Sequence, residues 1–170
     1  TIRGGDVTLT STEGSIVNET LKRDVAFGDA GEVTYLGNTA SIQSTGNLTL
    51  DAKRDIVSRG GNVSAEGDAT LKAGNDITFT AVERKTFTSE YSSSSAGGHS
   101  TTTVSTTQST RQVGSGLTVG GNLDATAARD INVEASAVDV AGNGRLDAGR
   151  DINVTALAEQ TDTTTTTATR

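Results

Sequence analysis

GNLTLDAKRDI, residues Gly46 to Ile56, returns as GDATLKAGNDI from Gly67, GNLDATAARDI from Gly121 and GNGRLDAGRDI from Gly142. Each copy has Gly first, Asn or Asp second, Ala seventh (Ala52, Ala73, Ala127, Ala148) and Asp-Ile at the end. A looser copy, GDVTLTSTEGSI, begins at Gly5 and reaches Ile16 one residue late. The starts at 46 and 67, and those at 121 and 142, are 21 residues apart; 5 to 46 is 41, near twice that, and 67 to 121 is 54. A fixed period of this size marks a solenoid with one coil per unit.

Within the unit, Leu48 and Leu50 alternate with Asn47, Thr49 and Asp51, and the pairs Ile77/Phe79, Ile131/Val133 and Ile152/Val154 alternate after the Asp. Period two means strand. One unit holds about three strands of ~5 residues, with Gly-Asn and Arg-Asp corners between them. Units of like pattern stack in parallel, each strand pairing with its counterpart one coil along, ~4.8 Å away. The expected fold is all-β, a parallel β-helix of about 21 residues per coil. Its inward set is Leu48, Leu50, Ile56, Val63, Leu71, Ile77, Phe79, Leu123, Ile131, Val133, Leu146, Ile152 and Val154.

The 170 residues include no Pro and no Cys, 20 Gly, 3 Phe and 2 Tyr. Lack of Pro suits a body of paired strands, since Pro removes a ladder donor. The glycines fit corners that need positive φ. A net charge of −7, with the basic residues scattered, argues against nucleic acid as a partner, because phosphate binding needs a clustered positive surface. Absence of Cys excludes a disulfide scaffold and thiol chemistry. No apolar run approaches the ~20 residues of a membrane-spanning helix. The chain opens inside a repeat, with no signal peptide, and reads as a segment of a longer protein.

Thr1 to Val17 forms one coil, with Val7 and Leu9 inward. Residues 18 to 45 are less regular: Glu32–Leu36 and Ala40–Ile42 alternate like strands, while Leu21–Val25 reads as a decayed corner. From 83 to 116 the pattern lapses into ERKTFTSEYSSSSAGGHSTTTVSTTQSTRQVGSG. Thr favours strands, Phe87 and Tyr91 share a face, Ala96-Gly97-Gly98 turns the chain, and Ser100–Gln112 returns beside the first arm. An extrahelical Ser/Thr-rich hairpin is expected, against the alternative of a disordered loop. ITFTAVERKTFT from Ile77 is echoed by INVTALAEQTDT from Ile152, an offset in numbering of 152 − 77 = 75. A larger unit is therefore repeating. The chain reads as a single β-helix fragment over 1–170, with an insertion at 83–116 and the start of a second at 157–170.

These repeats, followed by a Ser/Thr-rich excursion, resemble the haemagglutinin repeats of filamentous haemagglutinin-like exoproteins, and most closely the second repeat region of contact-dependent growth inhibition effectors of Gram-negative bacteria. The resemblance implies a right-handed β-helix exported by two-partner secretion through an outer-membrane transporter. It implies a place in a long surface filament that meets a target-cell surface or envelope and serves passage of a toxin into that cell. A host-cell adhesin of the filamentous haemagglutinin type is the alternative. No catalytic residue is carried over from the family.

Asp55, Asp76, Asp130 and Asp151 look like a metal ladder, but the Gly-rich nonapeptides of calcium-binding β-rolls are missing. They read as structural corners accepting backbone N–H bonds as Asx turns, with the preceding Arg54, Arg129 and Arg150 easing repulsion between stacked carboxylates. Asn47, Asn62, Asn122 and Asn143 each follow a Gly and read as corners that stack as an amide ladder. His99, without a second His or a Cys, reads as a solvated turn residue rather than a ligand or base. No cofactor and no metal are expected. A polysaccharide-cleaving β-helix would need clustered carboxylates in a groove and aromatics to stack on sugars. An ice-binding coil would need Thr in register on one face of the coil, whereas the Thr runs lie in the excursions. The expected role is structural, with Phe87, Tyr91, His99 and Val104 as the contact surface and lateral self-association through Thr-rich strands.

Overall fold

The computed structural model describes residues 1–28 and 31–170. Coil one is β1 (Ile2–Gly4), β2 (Val7–Ser11) and β3 (Ile16–Glu19), followed by a short pair, β4 (Lys22–Ala26) and β5 (Glu32–Leu36). Coil two is β6 (Ser41–Ser44), β7 (Leu48–Ala52) and β8 (Ile56–Arg59); coil three is β9 (Asn62–Ala65), β10 (Ala69–Ala73) and β11 (Ile77–Thr80). Two long strands come next, β12 (Val82–Ala96) and β13 (His99–Val113). Coil four is β14 (Gly116–Val119), β15 (Leu123–Ala127) and β16 (Ile131–Glu134). Coil five is β17 (Ala137–Val140), β18 (Gly144–Ala148) and β19 (Ile152–Thr155), and β20 (Gln160–Thr169) follows. The chain divides into two compact units: the coils, and a second unit of residues 22–35, 83–112 and 158–170.

In the first unit each coil gives one strand to each of three parallel five-stranded sheets, ordered β1-β6-β9-β14-β17, β2-β7-β10-β15-β18 and β3-β8-β11-β16-β19. This is a parallel β-helix. Because like residues pair without slip, side chains stack in columns: Leu9, Leu50, Leu71, Ala125, Leu146 in one sheet and Ile16, Ile56, Ile77, Ile131, Ile152 in the next. The columns from the three sheets meet in one core. Burying a Leu, Ile or Val there contributes roughly 1.5–3 kcal/mol per side chain. Three members of the inward set are not buried: Leu146, Ile152 and Val154 are 38%, 47% and 75% exposed. They keep their columns but belong to coil five, over which no further coil packs among the described residues.

The repeat glycines are required for a reason other than positive φ. Gly46, Gly67, Gly121 and Gly142 donate in turn to the carbonyls of Gly5, Gly46, Gly67 and Gly121 one coil back. A Cβ on Gly142 would come within 2.6 Å of the Gly121 carbonyl oxygen, so only a residue without one lets the corners close-pack.

The interval between the repeats that start at Gly5 and Gly46 is one coil and a hairpin, not two coils, since Ile16 pairs directly with Ile56. Lys22–Ala26 within that interval is strand β4, not a decayed corner, and it pairs with β5. The excursions leave the helix after β3, β11 and β19, always at the corner that follows a strand of the third sheet and on every second coil. The intervening coils turn that corner in two residues, Gly60-Gly61 and Ala135-Ser136, with φ of 58° at Gly60 and 44° at Ala135.

Leu50→Asp places an unpaired charge in the centre of a column and is expected to cost several kcal/mol, unfolding the coils around it. Leu146→Asp, at the open end, should lower the melting temperature far less. Equal losses for the two variants would contradict this register.

Candidate functional site

Two side-chain ladders run along the corners of the helix. In the first, the side-chain oxygens of Asp6, Asn47, Asp68 and Asn122 accept the backbone N–H of Asn47, Asp68, Asn122 and Asn143, each one coil on, at 2.7, 2.9, 2.7 and 2.9 Å. In the second, Oδ1 of Asp55, Asp76 and Asp130 accepts the N–H of Asp76, Asp130 and Asp151 at 3.3, 3.1 and 3.2 Å. The bonds run between coils, so these are not Asx turns within one coil. Ser15 heads the second column, taking the Asp55 N–H and donating to its carboxylate. Asn62 belongs to neither ladder; it opens β9, paired with Ser41 and Gly116.

The arginines reach back one coil. Arg150 Nε lies 3.0 Å from Asp130 Oδ1, with a second nitrogen on Oδ2, and Arg129 lies 3.4 Å from Asp76. The column position one coil before Asp55 is Ser15, so Arg54 has no carboxylate behind it to meet there. The guanidinium of Arg150 holds the Asp130 carboxyl below its ordinary range, helped by the Asp151 N–H. Asp76 and Asp130 are thus engaged by both backbone and guanidinium donors, and Asp55 by the Asp76 N–H and the Ser15 hydroxyl. Among the described residues, no three His, Cys, Asp or Glu converge as metal ligands would.

A feature that periodicity alone passes over is a set of buried hydroxyls and an amide at the corner where excursions leave. Ser115 Oγ lies 2.8 Å from the carbonyls of Ser58 and Thr80, and Ser58 Oγ donates to Gly61. Thr20 Oγ1 donates to Gly60 and accepts from Ala40 N–H, while Asn18 Nδ2 donates to Ser58 Oγ and to the Asn62 carbonyl. Interrupting a ladder frees backbone groups inside the protein, and these side chains take them up. The sequence carries a signal for this: Asn18 and Ser58 occupy the column filled by Phe79 and Val133, an apolar place held by a polar residue.

The second unit contains the three-stranded sheet β12-β13-β20. Gly97 and Gly98, at φ of 59° and 82°, make the two-residue turn that joins the 15-residue arms β12 and β13, so Ala96 faces His99 and Tyr91 faces Val104. Phe87, Tyr91 and Val104 therefore share one face, whereas His99 stands at the turn on the other, by strand alternation. On that other face, Thr103, Ser105, Thr107 and Ser109 meet Thr167, Thr165, Thr163 and Thr161 hydroxyl to hydroxyl at 3.1–3.4 Å. Gln108 holds β5 to the sheet: its Oε1 accepts the Glu32 N–H and its Nε2 donates to the Glu32 and Thr86 carbonyls. Lys85 lies 2.8 Å from Glu32, whose carboxylate raises the lysine above its ordinary value. In the short pair, the Thr34 hydroxyl and then Lys22 hold Asp24 below the usual carboxylate range.

The acids of the second ladder are thus spread one per coil from coil two to coil five, and Phe87 and Tyr91 lie in a different unit from the ladders. The chain matches the family described as Hemagglutinin repeat over residues 32–105 and again over 96–170. It is 35% identical over 150 residues to a protein named tRNA nuclease CdiA of Escherichia coli, and 29% identical over 147 residues to one of the same name of Yersinia mollaretii. Each match covers 79% of this chain and 5% of the relative. A protein named Toxin CdiA of Yersinia pestis is 31% identical over 110 residues, covering 62% of this chain and 3% of its own. No solved structure matches the chain significantly.

Because its folded pKa is depressed, Asp130 contributes stability that is present above its unfolded pKa and is lost as pH falls through the folded one. Asp130→Asn, which keeps an acceptor for Asp151, should therefore melt below the parent at neutral pH, with the gap closing below about pH 4. A gap independent of pH would contradict the ion pair. With two family matches spanning residues 32 to 170 on a stack of parallel coils, the chain belongs to the hemagglutinin-repeat family of secreted, cell-surface exoproteins.

Proposed function

We propose that this chain is a non-catalytic segment of the filament of a contact-dependent growth inhibition effector, exported by two-partner secretion through an outer-membrane transporter. The coils give the filament length and stiffness; the threonine-rich unit gives it a surface for contact with the envelope of the target cell. The observation that carries this reading is the similarity over 79% of the chain to two proteins named tRNA nuclease CdiA and over 62% to one named Toxin CdiA, joined to the Ser/Thr sheet built from the excursions. We assign none of the nuclease activity in those names to this chain, which matches 5% of their length. The faces of the sheet divide the contact role: Phe87, Tyr91 and Val104 supply apolar area on one, hydroxyls supply hydrogen bonding on the other.

The excursion begins and ends at one corner: a Cβ on Gly60 would lie 2.5 Å from the Val82 side chain and 3.4 Å from the Val113 carbonyl. A short Gly-Ser link is therefore expected to replace residues 84–112 without breaking the coils. In the full-length parent, that replacement should leave export and surface display intact while toxin delivery to target bacteria falls by about tenfold or more, as expected for loss of an interaction surface. Unchanged growth inhibition, with a loss of binding to host cells instead, would favour the adhesin reading and contradict this one.

A further inference from the structure

The open edge of β20 has a specific occupant written into the register of its sheet. Ser100 and Arg170 exchange both backbone hydrogen bonds, at 2.8 and 2.9 Å. By antiparallel alternation, the even-numbered residues of β20 bond β13, and Thr161, Thr163, Thr165, Thr167 and Thr169 turn their N–H and C=O groups outward. Among the described residues no strand pairs with that side of β20. A ten-residue edge with one charge, Asp162, and no Pro is an efficient template for another strand.

The two neighbours of β13 identify which strand. The Gly97-Gly98 turn sets Ser94 opposite Thr101, and β20 sets Thr169 opposite the same residue from the other side. Likewise Tyr91 and Thr166 flank Val104, and Phe87 and Asp162 flank Gln108. Within each flanking pair the residue numbers differ by 75 (169 − 94, 166 − 91, 162 − 87), as those of Ile77 and Ile152 do. β20 thus stands where β12 would stand after moving two strands across the sheet with no slip along it. In the coils, Ile77 reaches Ile152 in two steps, through Ile131. The same 75-residue offset thus spans two strands within the sheet and two coils within the helix.

We propose that the free edge of β20 receives the returning arm of the excursion that β20 opens, the strand that recurs after β13 at this same offset. Excursions of successive units then form one continuous antiparallel sheet, two strands per unit, rather than separate hairpins. A second copy of the chain has no such register relation to this edge. The proposal is independent of the toxin-delivery reading, because its test concerns strand pairing alone.

The period fixes the test. Arg170 occupies the place of Ser95, so a copy of Ala96–Gln112 is appended directly after Arg170 in the intact chain. Amide hydrogen exchange at Thr161, Thr163, Thr165, Thr167 and Thr169 is expected to slow by about tenfold or more, with the protein remaining a monomer. The same graft with Pro at the copies of Thr103 and Thr107, which would donate to β20, should abolish the protection. Unchanged exchange in the graft would overturn the proposal. So would protection already present in the unextended chain that rises with its concentration, since a second copy would then cover the edge.

Discussion

Parallel pairing of each coil with the next, at one strand spacing and without slip, is the constraint on which the other features rest. A strand in the middle of a five-stranded sheet satisfies its backbone groups only if both adjacent coils present theirs at the same height. Columns of like side chains follow at once. So does the exclusion of a Cβ at Gly142, whose corner packs on the backbone of the corner before it. The side-chain ladders extend the same rule to the corners, where the Asp or Asn of one coil accepts the N–H of the next. An exposed side chain at a corner is therefore positioned by hydrogen bonds where a core leucine is positioned by burial.

The same constraint determines where the chain leaves the helix. An excursion breaks the backbone at a corner, where the Gly60 carbonyl takes the Thr20 hydroxyl, and the Gly61 and Thr80 carbonyls take side-chain hydroxyls beside the N–H groups of Gly116 and Gly60. Ser115, Ser58 and Thr20 supply these hydroxyls. Thr20 shows the need most clearly: without its hydroxyl the Gly60 carbonyl and the Ala40 N–H would each lose the partner they have at this corner, at a cost of ~1–3 kcal/mol. Since all three exits fall at the corner after the third sheet, the alternation of short and long corners is a property of the repeat, not of one coil.

Much of this was legible in the sequence because a column repeats the same residue type at a fixed interval. Leu48, Leu50, Ile56, Ile77 and Ile131 needed only period two and the spacing of the repeats. The interval from Gly5 to Gly46 misled because it nearly equals two coils, while it holds one coil and the β4–β5 hairpin, whose Lys-Arg-Asp sequence resembles a corner. Leu146, Ile152 and Val154 match the inward pattern as well as any residue, but exposure in a solenoid depends on what covers a coil, which no local pattern reports. The pairing of β13 with β20 was illegible because Thr repeats so evenly there that any register satisfies the pattern.

The most direct measurement of the account is the distance between spin labels at exposed Thr8 and Arg145, which occupy the first and last places of one column through Thr49, Thr70 and Asp124. Four strand spacings predict a separation of backbone positions of ~19 Å. A separation near ~24 Å would mean a fifth step, hence a complete coil hidden in residues 18 to 45, and would contradict the direct pairing of coil one with coil two.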